Sequence, residues 1–291
     1  MTTATETLSG KTHRDENFPV ASWLMSAHHR GPILAFYRFV RAADDVADHA
    51  TLSADRKLAL LDGLGDALCG RAPADPLAEP LRLALRERGL GPQHALDLLD
   101  AFRLDVRKSR YADWAELLDY CRLSAMPVGR FVLDVHDEDK ALWPASDALC
   151  AALQVINHLQ DCGEDYRLLD RVYLPQDVLA AHGASVDELA AARASPSLRS
   201  ALAALARCAS ELTERGAALA SGIADVRLAL EIAAIQNLAR RLARDLENRD
   251  PLSERVHLGK GGFAWVGGIG VLRGAASVLM RKVRIPPRAH V

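Results

Sequence analysis

The sequence predicts an all-α protein, and three observations carry that reading. Strand signals are scarce, with no Asn-Gly or Asp-Gly hairpin between alternating apolar runs. Stretches rich in Leu, Ala, Arg and Glu with a 3.6-residue apolar period dominate instead. Composition does not change across the Gly- and Pro-containing loops, so 291 residues read as one large core.

Taken in order, residues 1–15 are expected to be mobile, and helices are expected at about 19–29, 32–50, 54–69, 77–89, 92–108, 113–123 and 127–136. They continue at about 146–169, 176–181, 186–193, 197–221, 225–247 and 263–282, with ends placed to within ~2–4 residues. Gly31-Pro32 marks the break between the first two helices, because proline cannot donate to the helical ladder. The run from Gly70 to Pro76 and Ala194-Ser195-Pro196 are loops. Ser146 is the expected N-cap of the helix at 146–169.

An apolar fraction of 49% with a net charge of −2 describes a globular protein and excludes a disordered or nucleic-acid-coating one. After Glu254 no acidic residue follows, whereas Arg255, Lys260, Arg273, Arg281, Lys282, Arg284 and Arg288 do. That asymmetry suits an anionic substrate or a membrane surface, and residues 283–291 read as a solvated basic tail. Five cysteines form no Cys-x-x-Cys, and the Thr-rich start carries no secretory signal, so a reducing cytoplasm is expected. Ten histidines include no His-Glu-x-x-His, so no zinc site is expected. Gly261 to Met280 approaches membrane-spanning length, yet the central Arg273 and its glycines argue for burial or for lying on a membrane surface.

Two acidic clusters stand out. Asp44 and Asp48 are four residues apart on one helix, and Asp161 and Asp165 repeat the spacing on another. Like charges at that spacing destabilise a helix by a few tenths of a kcal/mol unless a cation lies between them. At 100° per residue Gln154, Asn157, Asp161 and Asp165 fall within about 80° of one another, and His158 joins their face. Leu153, Val155, Ile156 and Leu159 occupy the rest of the circumference, so this polar stripe faces a cavity rather than solvent. Tyr37, Arg41, Asp44 and Asp48 form the matching stripe, flanked by Ile33, Phe36, Val40, Ala43 and Ala47. Arg41 by itself reads equally as an intrahelical ion pair of little worth. Carboxylate and amide oxygens suit Mg²⁺ shared with phosphate oxygens, and diphosphate bridged in that way is a good leaving group.

These residues carry a resemblance. Leu153 to Asp165, followed by Arg171-Val172-Tyr173-Leu174-Pro175-Gln176-Asp177, resembles the second signature of the squalene/phytoene synthase family, and Tyr37 to Asp48 resembles its first. Glu16 to Ser22 and Tyr120 to Gly129 resemble the family's bacterial hopanoid-pathway branch, which forms hydroxysqualene.

The resemblance implies a single isoprenoid-synthase domain over residues 16–282, a helical bundle around a central cavity. It implies Asp44, Asp48, Asp161, Asp165 and Asn157 as Mg²⁺–diphosphate ligands. Arg41, Gln154, Asn17, Arg255 and Lys260 would bind the diphosphate, with Tyr37 and Tyr120 beside the reacting carbons. The activity implied is a carbon–oxygen lyase: presqualene diphosphate ionises and water captures the rearranged cation. No NADPH and no nucleic acid are expected. The alternative is a transferase that condenses two farnesyl diphosphates head to head to presqualene diphosphate or squalene. Peripheral contact with the inner membrane through Gly261 to Arg284 is a further expectation.

The chain departs from the carotenoid-forming members at Gln160, Arg122, Asp250 and Asn17, and Met126 is unusual for the hopanoid branch. Gly268-Ile269-Gly270-Val271-Leu272-Arg273-Gly274 is one residue too long for a dinucleotide-binding glycine motif and reads as helix-packing glycine.

Overall fold

The computed structural model describes residue 4, residues 26–257 and residues 270–271. The expectations for residues 1–15, Asn17, Lys260, the helix at 263–282 beyond residues 270–271, and the tail at 283–291 lie outside the described residues, apart from residue 4.

Eleven α-helices are present among the described residues: α1 (Ala27–Ala47), α2 (Ala54–Leu68), α3 (Glu79–Arg88), α4 (Gln93–Arg107), α5 (Trp114–Ser124), α6 (Met126–Val135), α7 (Trp143–Leu169), α8 (Gln176–Ala181), α9 (Pro196–Arg215), α10 (Leu219–Gly222) and α11 (Val226–Asn248). The only extended pairing among them is a single parallel bridge between Arg110 and Val172.

Helix starts follow local chemistry. Ser53, Asp113, Ser195 and Asp225 each accept a backbone N–H of the first turn of α2, α5, α9 and α11, satisfying donors that have no intrahelical partner. Pro196 at the first position of α9 already has a helical φ. Gly89 ends α3 in the left-handed region at φ 64°, where a Cβ would be strained.

Four sequence expectations are corrected. Gly31-Pro32 does not separate two helices, because α1 runs through Pro32. The missing proline N–H frees the His28 carbonyl, and the Arg88 guanidinium donates to it instead. Ser146 is not an N-cap: a 3₁₀ turn at Lys140–Leu142 leads directly into α7, and Ser146 is buried inside the helix. The expected helix at 197–221 is two, α9 and α10, broken at Gly216, where an added Cβ would stand 3.1 Å from the Ala145 carbonyl oxygen and 3.2 Å from Leu149 Cβ. Val186–Ala190 is a 3₁₀ helix held by a capping box between Ser185 and Glu188.

Packing gives two apolar clusters. One joins α5, α7, α9 and α11 around Ile156, Leu159, Leu202, Leu205 and Leu242. The other joins α1 to α4, with Phe36 and Phe39 of α1 and Phe131 of α6. The Phe36 and Phe131 rings stack at 4.1 Å. Helix α6 lies between the halves, and at Gly129 it approaches α7 so closely that a Cβ would sit 2.3 Å from Ser146 Oγ. A Cβ at Gly270 would stand 2.6 Å from Ala234 Cα, which bears out the reading of that glycine as a packing residue. Among the described residues no helix is long and apolar enough to cross a membrane.

Candidate active site

Helices α1 and α7 each carry an apolar stretch followed, toward the C-terminus, by an acidic one. Ile33, Phe36, Tyr37 and Val40 of α1 and Ser146, Leu149, Cys150 and Leu153 of α7 line one apolar cavity of about 250 Å³, closed by α6 and α11. Arg41 adjoins the cavity-lining Val40, and one to three turns further along the same helices stand Asp44 and Asp48, and Asn157, Asp161 and Asp165. An apolar cavity and an acidic pole therefore share the same two walls.

The pole is built by ion pairs. Arg41 forks within α1, reaching Asp44 Oδ2 at 2.8 Å and the buried Asp45 Oδ1 at 3.1 Å. Asp48 accepts a hydrogen bond from Arg171 Nη1 at 2.9 Å. Arg171 follows immediately after α7, and its direction is set by the α7 C-cap, Asp170, in the left-handed region at φ 49°. Arg110 donates to the Asp170 side chain at 2.6 Å. The Val172 amide donates to the Ser109 carbonyl at 2.9 Å, and the Gln176 and Asp177 amides donate to Tyr111 and Ala112. The loop after α4 thus holds the segment that carries Arg171 and Tyr173.

Beneath Arg171 lies a buried carboxylate that the motifs did not single out. Asp105 of α4 accepts the Tyr120 hydroxyl on Oδ2 and the Tyr173 hydroxyl on Oδ1, each at 2.8 Å. Its Oδ1 stands 4.0 Å from Arg171 Nε. Tyr173 stacks on His158 at 3.6 Å between ring centroids, and His158 Nε2 lies 3.2 Å from Gln154 Nε2. The signal for Asp105 was its place on the apolar face of α4, in register with Leu98, Ala101 and Phe102, where an ionisable residue needs partners. Arg171 and Tyr173 stood inside the recognised motif without a role.

Electrostatics reflects crowding of negative charge. Desolvation, then the neighbouring Asp48, raises the Asp44 carboxyl to about 8 against the pull of Arg41. Desolvation and Asp161 raise Asp165 to about 7, with Asp48 adding to the rise and Arg171 opposing it. Asp48 therefore acts on Asp165, and the two acidic segments share one field. Burial lifts Asp105 to about 6, while Arg171 and the two tyrosine hydroxyls hold it down. Burial, then Arg171, lowers His158 to about 3, so its imidazole is neutral.

The remaining residues divide by location. Tyr37 lines the apolar cavity. Tyr120 is buried on Asp105. Asp48, Asp105 and Arg171, with Lys57, Arg107 and Lys108, line a polar recess of about 310 Å³. Arg255 is exposed and lines a second recess of about 360 Å³ with Asp161, Arg167 and His257, so it shares a wall with the acidic stretch of α7. Two family departures have local partners: Gln160 donates to the Val256 carbonyl, and Asp250 accepts the Ala194 and Leu252 amides.

Fold and site together define an all-helical synthase of the isoprenoid type. The chain belongs to the squalene/phytoene synthase family, whose pattern it matches over residues 11–261. It is 60% identical over 258 residues to a hydroxysqualene synthase of Rhodopseudomonas palustris, covering 89% of this chain and 88% of the relative. Identity to a hydroxysqualene synthase of Sinorhizobium fredii is 55% over the same shares. Among solved structures, the squalene synthase HpnC of Alicyclobacillus acidocaldarius superposes with a TM-score of 0.71 at 32% identity, covering 84% of this chain and 91% of that one.

Proposed function

We propose that the protein ionises presqualene diphosphate and captures the rearranged carbocation with water, giving hydroxysqualene. The observation that carries this reading is the shared wall: α1 and α7 line an apolar cavity and, one to three turns on, an acidic pole. A substrate with a diphosphate head and a hydrocarbon body matches that sequence of environments. The relatives named hydroxysqualene synthase support the product assignment.

The donor set suits Mg²⁺. Asp44 and Asp165 are raised to about 8 and about 7, which marks an excess of carboxylate that hard cations relieve. Asp44, Asp48, Asn157, Asp161 and Asp165 would hold the ions, and bound Mg²⁺ would stabilise charge on the departing diphosphate. The chain's own groups do the rest. Arg41 and Arg171, held on Asp44 and Asp48, are the cations assigned to meet phosphate oxygens. As the C–O bond breaks, its electron pair leaves with the diphosphate. The apolar lining around Phe36, Phe131 and Leu153 excludes stray water from the cation. The water that ends the reaction forms a new C–O bond and loses a proton. Tyr120 and Tyr173, fixed by Asp105, are the groups assigned to orient it.

A second reading, squalene formation from farnesyl diphosphate, has one observation in its favour: the 32%-identical solved relative bears the name squalene synthase. Product analysis separates the two. Incubation with presqualene diphosphate and Mg²⁺ is expected to give hydroxysqualene whether or not NADPH is added. Squalene formed from farnesyl diphosphate only when NADPH is present would favour the second reading instead.

A further inference from the structure

We propose that His29, His136 and Asp225 form a site for one zinc-type divalent ion, at the opposite end of α1 from the aspartates. His29 lies in the first turn of α1, His136 caps the C-terminus of α6, and Asp225 caps the N-terminus of α11. One ligand atom from each lies within 4.8 Å of the other two. His29 Nδ1 is 3.7 Å from Asp225 Oδ2, and the two imidazole rings meet at 3.9 Å between centroids. Fifteen residues separate His29 from Asp44, about 22 Å of helix, so this is not the diphosphate pole.

Each ligand is prepared by its surroundings. The His136 Nδ1–H donates to the Val132 carbonyl at 2.9 Å, which leaves the Nε2 lone pair outward, as metal-binding imidazoles require. Asp225 spends Oδ1 on the Arg227 and Leu228 amides and keeps Oδ2 for His29. The buried Glu138 fixes that turn by accepting the Ala224 and Asp225 amides at 2.8 Å each.

Two imidazoles and one carboxylate suit a borderline ion such as Zn²⁺ better than Mg²⁺. Tetrahedral bonds of ~2.0–2.1 Å place ligand atoms about 3.3–3.4 Å apart, so atoms now within 4.8 Å of one another need a closure of up to about 1.5 Å. The half-buried His29 supplies it by releasing the Ser26 hydroxyl, now 3.2 Å from Nδ1. Arg88 brings a positive charge nearby, which weakens the hold on a cation. Helices α1, α6 and α11 also wall the apolar cavity, so the ion would brace that end of the cavity.

The test is Zn²⁺ titration of the chelator-treated full chain by calorimetry, with excess Mg²⁺ present to occupy the aspartates. Co²⁺ absorption reports the ligand field. One equivalent should bind, with a rise in Tm. His29→Gln and His136→Gln should each weaken binding by about 100-fold, whereas Asp44→Asn should leave it unchanged. Asp225→Asn preserves the helix cap, so it keeps the metal-free Tm and loses the Zn²⁺-dependent rise. No Zn²⁺ binding by the wild type, or equal binding by His29→Gln and Asp225→Asn, would overturn the proposal.

Discussion

Asp48 and Arg171 meet at 2.9 Å across 123 residues of chain, and their contact joins the acidic end of α1 to the segment that follows α7. Arg171 is buried and also reaches the Tyr173 hydroxyl at 3.3 Å and the Asp105 carbonyl at 3.5 Å. One guanidinium therefore sits among Asp48, Asp105 and Asp165, all of which act on it or are acted on by it. Arg171→Leu should destabilise the protein by about 3 kcal/mol, the lower end for breaking a buried pair because Asp48 keeps some solvent contact. Chemical denaturation measures this, and Arg171→Lys should recover part of the loss without the forked geometry.

Asp105→Asn keeps volume but removes the charge that both tyrosine hydroxyls donate to. Turnover is expected to fall by about 10²-fold, with diphosphate release less affected than hydroxysqualene yield. Separate assays of the two products check the split. Equal losses would assign Asp105 to ionisation rather than to the capturing water.

In the metal-free protein, crowded carboxylates should make stability depend on pH. The folded values of Asp44, about 8, and Asp165, about 7, lie above their unfolded values. Their contribution is therefore fully present at acid pH and is lost as pH rises from about 4 toward 8. After solvent screening the loss is on the order of 1–2 kcal/mol. Thermal melts should fall across that window and recover when Mg²⁺ is added, while Asp44→Asn should flatten the metal-free profile.

Gly129 lets α6 approach α7, and a Cβ there would stand 2.6 Å from Cys150 Sγ as well as against Ser146. Gly129→Ala should cost about 1–3 kcal/mol. Because Gly129, Ser146 and Cys150 all line the apolar cavity, it should also raise KM for presqualene diphosphate, the proposed substrate, more than it lowers kcat. Steady-state kinetics on the purified variant tests this.

The helices and both acidic stripes were legible because they rest on local periodicity and on residue type. Pro32 misled because its effect depends on a distant cation: Arg88 takes the carbonyl that proline leaves open. Ser146 misled because a 3₁₀ turn upstream had already begun the helix. Asp105 was missed because one carboxylate on an apolar face gains meaning only when Tyr120, Tyr173 and Arg171 converge on it from 15, 68 and 66 residues away. Tyr120 was singled out through its motif, yet its partner lay beyond any spacing rule.

The central claim is that Asp44 and Asp161, on separate helices, serve one diphosphate site. Its most direct test is the rate of diphosphate release from presqualene diphosphate with saturating Mg²⁺, for the wild type, Asp44→Asn and Asp161→Asn. Each variant is expected to retain the helical circular-dichroism signal and to lose at least about 10³-fold in rate, the scale of removing charge stabilisation at a leaving group. Near wild-type release by either variant would contradict the shared site.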